Sequence, residues 1–527
     1  MSTEYDYVIV GAGSAGCVLA NRLSAEQGVT VALIEAGGAD DKAEIRIPAG
    51  FKKLFKTPYD WNFSTVPQSE MEGRRLYWPR GRVLGGSSSM NAQMWVRGHR
   101  ADYDGWAVPG WSYDDVLPYF QRAENRIGSN EGGVYGVGGP AHISELRSPN
   151  PVTGAFLRAC EEIGLPRLTE LNGPDDAEGC RQAPVTQYRG RRWSSADAYL
   201  RPARRRANLT VLTGLHANRV LLEGGRATGV ECADGTVVAA RREVVLSAGA
   251  IGSPHLLMLS GVGDPAELRA NGVPPLVDRP KVGRNLQDHL TSGIMMRCPA
   301  EVTLASAESL ANLVRYLVRR RGMLTSNIGE ALAFARTSPR EPAPDIELIF
   351  VPVAFADHGL TRPDGHGITV AVVLLRPESR GRISLSGRDV VIDPRYLSAE
   401  ADRRRMAAGL RLALKLVGTG ALRPYAAGPM APYWGARTDE ELDRWIRERS
   451  ETLYHPAGTC RMGTDAESVV DPELRVRGVG GLRVADVSVM PVINRGHTHA
   501  PAVMIGERAA DLIIAAWSEG GRIEAGR

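Results

Sequence analysis

A chain of 527 residues exceeds what one hydrophobic core supports, since domains average roughly 150 residues, and two or three lobes built in part from non-consecutive segments are expected. The 43% hydrophobic and 24% charged content is that of a soluble globular protein, and 64 basic against 60 acidic side chains leave a net charge of only +4. So small an excess excludes a dedicated polyanion binder, and no nucleic-acid partner is expected.

The opening "MSTEYDYVIVGAG" enters a strand directly, without a basic or apolar leader, so a cytoplasmic location is expected. Tyr7 to Val10 is a β-branched run, Ala15 to Leu23 a helix, and "VTVALIEA" a second buried strand, which together make one βαβ unit with parallel pairing. Residues 40–130 are mixed and rich in Gly, Pro and Trp. "SNEGGVYGVGGP" (129–140) is a turn-rich linker, followed by a strand in "AHISEL" and a helix in "NPVTGAFLRACEEIGL" with an asparagine cap. Residues 209–249 alternate short strands with glycine turns, and ADG at 233–235 signals a hairpin. Downstream, "ADRRRMAAGLRLALKLV" reads as a helix, "GITVAVVLL" and "GRISL" as strands, "GLRVADVSVMP" as a buried strand, and 502–516 as a closing helix.

No apolar run reaches the ~18–20 residues of a membrane span, so no transmembrane segment is expected, and peripheral membrane contact is left open. Arginines cluster in "RPARRRANL" (201–209) and "RYLVRRRG" (315–322). Without interleaved aromatics these read as solvated helix faces rather than nucleic-acid or acidic-lipid patches. Cys17, Cys160, Cys180, Cys232, Cys298 and Cys460 lack CxxC spacing and are expected as reduced thiols.

"GAGSAG" places Gly11, Gly13 and Gly16 in GxGxxG spacing between the strand and the helix. The first glycine permits the tight turn, the second lets backbone approach a pyrophosphate, and the third lets helix pack on strand. Glu35 ends the second strand about 20 residues further on, where a carboxylate accepts from a ribose diol and repels an added phosphate. The pattern indicates a dinucleotide and leaves FAD or NAD open.

His455, Cys460, His497 and His499 offer four nitrogen or sulfur ligands. Their spacing lacks the paired close ends of a zinc module, and no metal is expected. His142, His216 and His255 read as packed residues.

"GRVLGGSSSMNAQMW" (81–95) and "GAIGSPHLLMLSGVG" (249–263) resemble the two signature stretches of the glucose–methanol–choline (GMC) oxidoreductases. "DWNFST" (60–65), "VGRNLQDH" (282–289) and "YHPAGTCRMG" (454–463) extend the resemblance over nearly the whole chain. It implies an α/β (α+β) fold: a Rossmann-like FAD-binding domain from 1–154, 205–300 and 475–527, and a substrate domain from 155–204 and 301–474 built on an antiparallel sheet covered by helices. It also implies FAD contacts in four groups. The glycine turn and second strand contribute Gly11, Gly13, Ser14, Ala15, Gly16, Glu35 and Ala36. Trp61, Arg82, Val83, Gly86, Ser87, Asn91, Ala92 and Met94 contribute from the first signature region. Val220 would present its backbone to the adenine, with Ala248 nearby, and Asp486, Val487, His497 and Pro501 contribute from the C-terminal region. Asp486 reads equally well as a turn cap. Where some members bear a histidine bonded to FAD this chain has Met90, whose thioether forms no such bond, so the FAD is expected to be non-covalent.

The same resemblance makes His455 and His499 the catalytic pair, with His497 nearer the flavin's pyrimidine side. The implied reaction oxidises a primary or secondary alcohol, with electrons passing to O2 or another acceptor. A neutral imidazole suits the proton, and His455 is the expected base with His499 the alternative. Hydroxynitrile cleavage and light-driven fatty-acid decarboxylation, both known in relatives, are the rival activities. Glu330 matches a carboxylate that choline-active relatives use, and it also reads as a buried hydrogen-bonded acid. "EALAFARTS" and "LIFVPVAFADHG" suggest an apolar pocket wall and favour aliphatic or aromatic alcohols.

Overall fold

The computed structural model describes residues 3–173, 178–361 and 363–524. Every residue of Val31–Glu35 is buried, as both-sided coverage of a parallel strand requires. That strand pairs in parallel with Thr3–Val10 through the crossover helix Ser14–Leu23. The strands Leu209–Thr213, Val31–Glu35, Thr3–Val10, Val237–Leu246 and Leu482–Val484 all pair in parallel. Arg226–Cys232 and Ala217–Glu223 complete a seven-stranded sheet as an antiparallel extension, and the expected turn at 233–235 joins Arg226–Cys232 to Val237–Leu246. The carboxyl ends of the parallel strands are followed by Gly11, Ala36, Ser247 and Ala485, so one edge of the sheet gathers the chain's turns.

A second sheet of six strands runs Glu451–Thr452, Leu290–Arg297, Gly367–Leu374, Ile346–Val351, Ala331–Ala335 and Gly179–Gln182 in spatial order, antiparallel throughout. The helix Glu400–Val417 lies on it, and Gly409 permits the approach because a Cβ there would sit 2.4 Å from Val372 Cγ1. Leu290–Arg297 falls before the expected boundary at 300. It nevertheless hydrogen-bonds along its length to Gly367–Leu374 and so belongs to the second sheet. Strand partners are chosen by tertiary pairing, which distance along the chain does not report.

The closing helix begins earlier than expected, at His499, and runs to Glu524. It crosses the helix Ser14–Leu23 at Gly506, where a Cβ would lie 3.0 Å from Ala15 O and Val18 Cβ. Glu507 is fully buried there and accepts from Arg22 (2.7 Å), Arg122 (2.8 Å) and Tyr199 (2.8 Å), which compensates its desolvation.

Candidate active site

The turns at the carboxyl edge of the parallel strands open on a cavity of about 1350 Å³, larger than the roughly 300–1,000 Å³ of a cleft for one small ligand. Gly11 (φ +99°) is excluded from other residue types, since a Cβ would lie 2.7 Å from Ser247 O. A Cβ on Gly16 would lie 1.9 Å from Gly11 O, so this glycine lets helix meet strand. At Gly13 a Cβ would find only Ser247 O at 3.8 Å, and the backbone there faces open cavity. The helix that follows has no side-chain cap. Its first-turn N–H groups therefore point toward the cavity without intrahelical partners, the arrangement that binds a phosphate. Gly86 passes directly over this turn: its Cβ would be 2.7 Å from Gly13 Cα.

Glu35 accepts from the Ala12 N–H (2.9 Å) and the Gly37 N–H (2.8 Å). Burial pushes its carboxyl up to about 7 although these donors pull the other way. Asp486 accepts from Gly249 N (2.9 Å), Ser253 Oγ (2.5 Å) and Ser488 N (2.8 Å), so it caps both the helix Gly249–Leu259 and its own turn while still lining the cavity.

Three histidines, His289, His455 and His497, meet near the same cavity. The rings of His455 and His497 stand 5.0 Å apart between centroids and nearly perpendicular, and both line the cavity. His455 Nδ1 faces His289 Nδ1 at 3.0 Å, which leaves Nε2 as the nitrogen available to the cavity. The His455 N–H donates to Asp288 (2.7 Å), which also accepts from Thr452 (2.6 Å) and Tyr396. Consecutive residues Asp288 and His289 thus hold the backbone and the ring of one histidine. His497 Nε2 lies 3.0 Å from Glu347 Oε1, an acid fully buried on the strand Ile346–Val351. Burial, followed by the neighbouring His497, His289 and Arg80, holds His455 well below the ordinary histidine range, and burial pushes His289 down to about 3.

His499, expected as the second catalytic ring, also lines the cavity but is held by other partners. Its Nδ1 lies 3.0 Å from Ser14 Oγ on the glycine turn, and its ring packs edge-on against Trp95 at 5.5 Å. The expectation assumed an extended segment, in which residues two apart face one way. The helix instead starts at His499, so His497 and His499 project differently.

Gly11, Gly13, Ser14, Ala15, Glu35, Ala36, Trp61, Gly86 and Ser87 all line the cavity, as do Asn91, Ala92, Met94, Ala248, Asp486 and Val487. Gly16, Arg82, Val83, Val220 and Pro501 do not. Arg82 lies over the Trp61 ring at 5.2 Å, and Val83 packs with Phe51 and Met90. Val220 spends its N–H on Ser260 Oγ (2.8 Å). The lining backbone of that region is 215–218, held beside the second strand by the Leu215 N–H bond to Glu35 O (3.0 Å). Pro501 is buried in the first helical turn and Ala502 takes the lining position.

Cys460 lies beside Asp486 and Ser488. Among the described residues, the group with ligand atoms close enough to share an ion is Asp357, His358 and Glu451. Glu330 is buried away from the cavity, accepting from Asn150 N (2.6 Å), Thr153 Oγ1 (2.7 Å) and Ser326 Oγ (2.6 Å), so the buried-acid reading holds. Glu347 and His289 escaped the sequence reading. The signal for Glu347 was a lone acid inside the apolar run "IELIFV", and for His289 the last letter of the motif "VGRNLQDH".

Comparison with known proteins gives the family. The N- and C-terminal family models described as GMC oxidoreductase match residues 5–291 and 377–506. An uncharacterized GMC-type oxidoreductase of Mycobacterium tuberculosis is 51% identical over 97% of this chain and 100% of its own. The alcohol dehydrogenase [acceptor] of Pseudomonas putida is 40% identical over 97% and 96%. A solved structure of formate oxidase from Aspergillus oryzae RIB40, reported for its FAD modification, superposes with a TM-score of 0.91 at 29% identity, covering 98% of this chain and 99% of that one. The chain belongs to the GMC oxidoreductases, FAD-dependent enzymes that act on CH–OH groups.

Proposed function

We propose that the chain oxidises a primary or secondary alcohol to the aldehyde or ketone, with FAD held non-covalently. The observation that carries this reading is a pair of cavity-facing imidazoles, His455 and His497, each backed by a second buried side chain. The protein fits the cofactor. The uncapped helix start after Gly13 suits a diphosphate, Glu35 suits a ribose diol, and the backbone of 215–218 suits the adenine. The loop through Ser87, Asn91 and Met94 suits the flat ring. Met90 lines the cavity where a covalent member carries histidine, which supports non-covalent binding. Ser14 with His499 steadies the phosphate end. The middle segment of the cofactor-binding unit in this reading ends near residue 289, and the strand Leu290–Arg297 goes to the substrate unit.

FAD, when bound, would supply the acceptor for the hydride of the carbinol carbon and the route for electrons to O2 or another acceptor. The chain handles the proton. The facing Nδ1 atoms of His289 and His455 share one hydrogen bond, so one ring donates and the other accepts. In this reading His289 Nδ1 is the acceptor. His455 Nδ1 must then donate, which leaves its Nε2 lone pair free to take the hydroxyl proton. Because burial holds His455 neutral, the base is ready without first losing a proton. His497, oriented through Nε2 by Glu347, stands beside His455 at the polar end of the cavity. Phe51, Phe55, Ile328, Ile349, Val351 and Phe355 line the cavity and support an aliphatic or aromatic alcohol.

Anaerobic mixing of the FAD-loaded enzyme with an alcohol panel tests the proposal. Bleaching of the flavin absorbance by at least one apolar alcohol is expected, and His455→Ala should lower its rate by ~10²–10⁴ with FAD retained. Bleaching by no alcohol, or an unimpaired His455→Ala, refutes it.

A further inference from the structure

The helix Leu310–Arg319 wears its apolar face outward. Leu310 and Val318 are each 75% exposed, Leu317 57%, Val314 51% and Leu313 38%. These five supply nearly half of the exposed large apolar side chains among the described residues. At 3.6 residues per turn they share an arc of about 140°. Asn312 and Tyr316 occupy the opposite side and tie the helix down: Asn312 Nδ2 donates to Ser306 O (2.9 Å), and Tyr316 is the helix's buried residue. A surface helix ordinarily turns such a stripe to the core, and a contiguous exposed one marks a contact surface.

Charge identifies the occupant. Arg315 lies on the helix beside the stripe and Arg319, Arg320 and Arg321 close its C-terminal end, and among the described residues none of the four makes an ion pair with an acid. Arg189 and Arg191 add to this side of the molecule, since Gly190 packs on Arg320 O and Arg191 is felt at Tyr316. An outward apolar face rimmed by unpaired arginines is the composition of a helix lying in the headgroup region of an anionic bilayer. A two-fold contact with a second copy would set this cationic rim near its own like, which disfavours that occupant. Among the described residues no helix is long and apolar enough to cross a membrane, so the attachment is to the surface. The helix also adjoins Met323–Thr325, which packs on the Pro48–Leu54 segment, and that segment contributes Phe51 to the cavity wall.

We infer that Leu310–Arg319, with the arginines at its C-terminal end, is a peripheral membrane-binding element that docks the enzyme on anionic lipid near its cavity. The result goes beyond the proposed oxidation and stands or falls separately from it.

The test is co-sedimentation of the FAD-loaded protein with vesicles. At about 0.1 M salt, phosphatidylcholine vesicles containing about 30 mol% phosphatidylglycerol should bind the protein at least about tenfold better than pure phosphatidylcholine, and about 0.5 M salt should erase most of the difference. Val314→Asp/Leu317→Asp and Arg319→Ser/Arg321→Ser should each lose at least about tenfold in anionic-vesicle binding, with flavin reduction in solution unchanged. Both pairs are exposed, so folding is not at stake, and circular dichroism verifies it. Equal partition on both vesicle types, or undiminished binding by both variants, overturns the inference. So does a wild-type dimer that Val314→Asp/Leu317→Asp converts to monomer without anionic-vesicle binding in either, because the face is then a contact between copies.

Discussion

Replacing His289 by leucine removes the acceptor that faces His455 Nδ1 at 3.0 Å and leaves the cavity wall intact, because His289 is buried behind it. The proton of neutral His455 then has no reason to stay on Nδ1, and the tautomer that carries it on Nε2 is useless as a base. A net hydrogen bond is worth about 0.5–1.5 kcal/mol, and tenfold in rate corresponds to about 1.4 kcal/mol. The limiting rate of anaerobic flavin reduction should therefore fall by about 2- to 13-fold, while the substrate concentration at half-saturation and the FAD content hold steady. His289→Asn, whose amide oxygen stands near the place of Nδ1, should recover most of the loss. The pH profile offers a second check. Burial and the neighbouring charges hold His455 well below the usual histidine range, so wild-type reduction should stay flat from pH 8 to about 6, where a free imidazole of pKa ~6.5 would already be titrating. Unchanged rates in His289→Leu, or an asparagine variant no better than leucine, would refute the assignment of the proton.

Exchanging the remaining histidines separates their duties. His497→Ala should lower the limiting reduction rate by at least about tenfold, because it removes the ring beside His455. His499→Ala should chiefly weaken FAD retention, read as flavin released on gel filtration, because its partner is Ser14 on the glycine turn; the opposite pattern would reinstate His499 as the catalytic partner. Glu347→Gln retains an acceptor for His497 Nε2 but replaces the carboxyl group, and should lower flavin reduction several-fold without altering FAD content; a loss of FAD instead would mark Glu347 as part of the cofactor site. His289 is neutral in the fold with its pKa near 3 but near ~6.5 when unfolded. The unfolded chain thus binds the proton first as pH falls, and this residue removes about 1.4 kcal/mol of stability per pH unit below ~6.5. Melting temperatures should consequently fall less steeply between pH 6.5 and 5 in His289→Asn than in wild type, and parallel curves would contradict a neutral buried ring.

The sequence by itself determined what is local. Gly11, Gly13 and Gly16 sit between a β-branched run and an alanine-rich helix, and strand, turn and helix follow because neighbours in the chain impose them. Spaced motifs likewise identified the family and brought His455 to the cavity. Choices between distant partners needed the folded chain. Whether His497 or His499 joins His455 depends on where the last helix begins, and helix onset is set by packing against Ser14–Leu23 as much as by residue preference. Glu347 reaches His497 only because the six-stranded sheet places its strand there, across 150 residues of sequence. The stripe of Leu310–Arg319 was written in its 3.6-residue period, yet that period marks a face without saying which way it looks. Asn312 and Tyr316 turned it outward, since tertiary anchoring rather than hydrophobicity selects which side of a short helix meets the body of the protein.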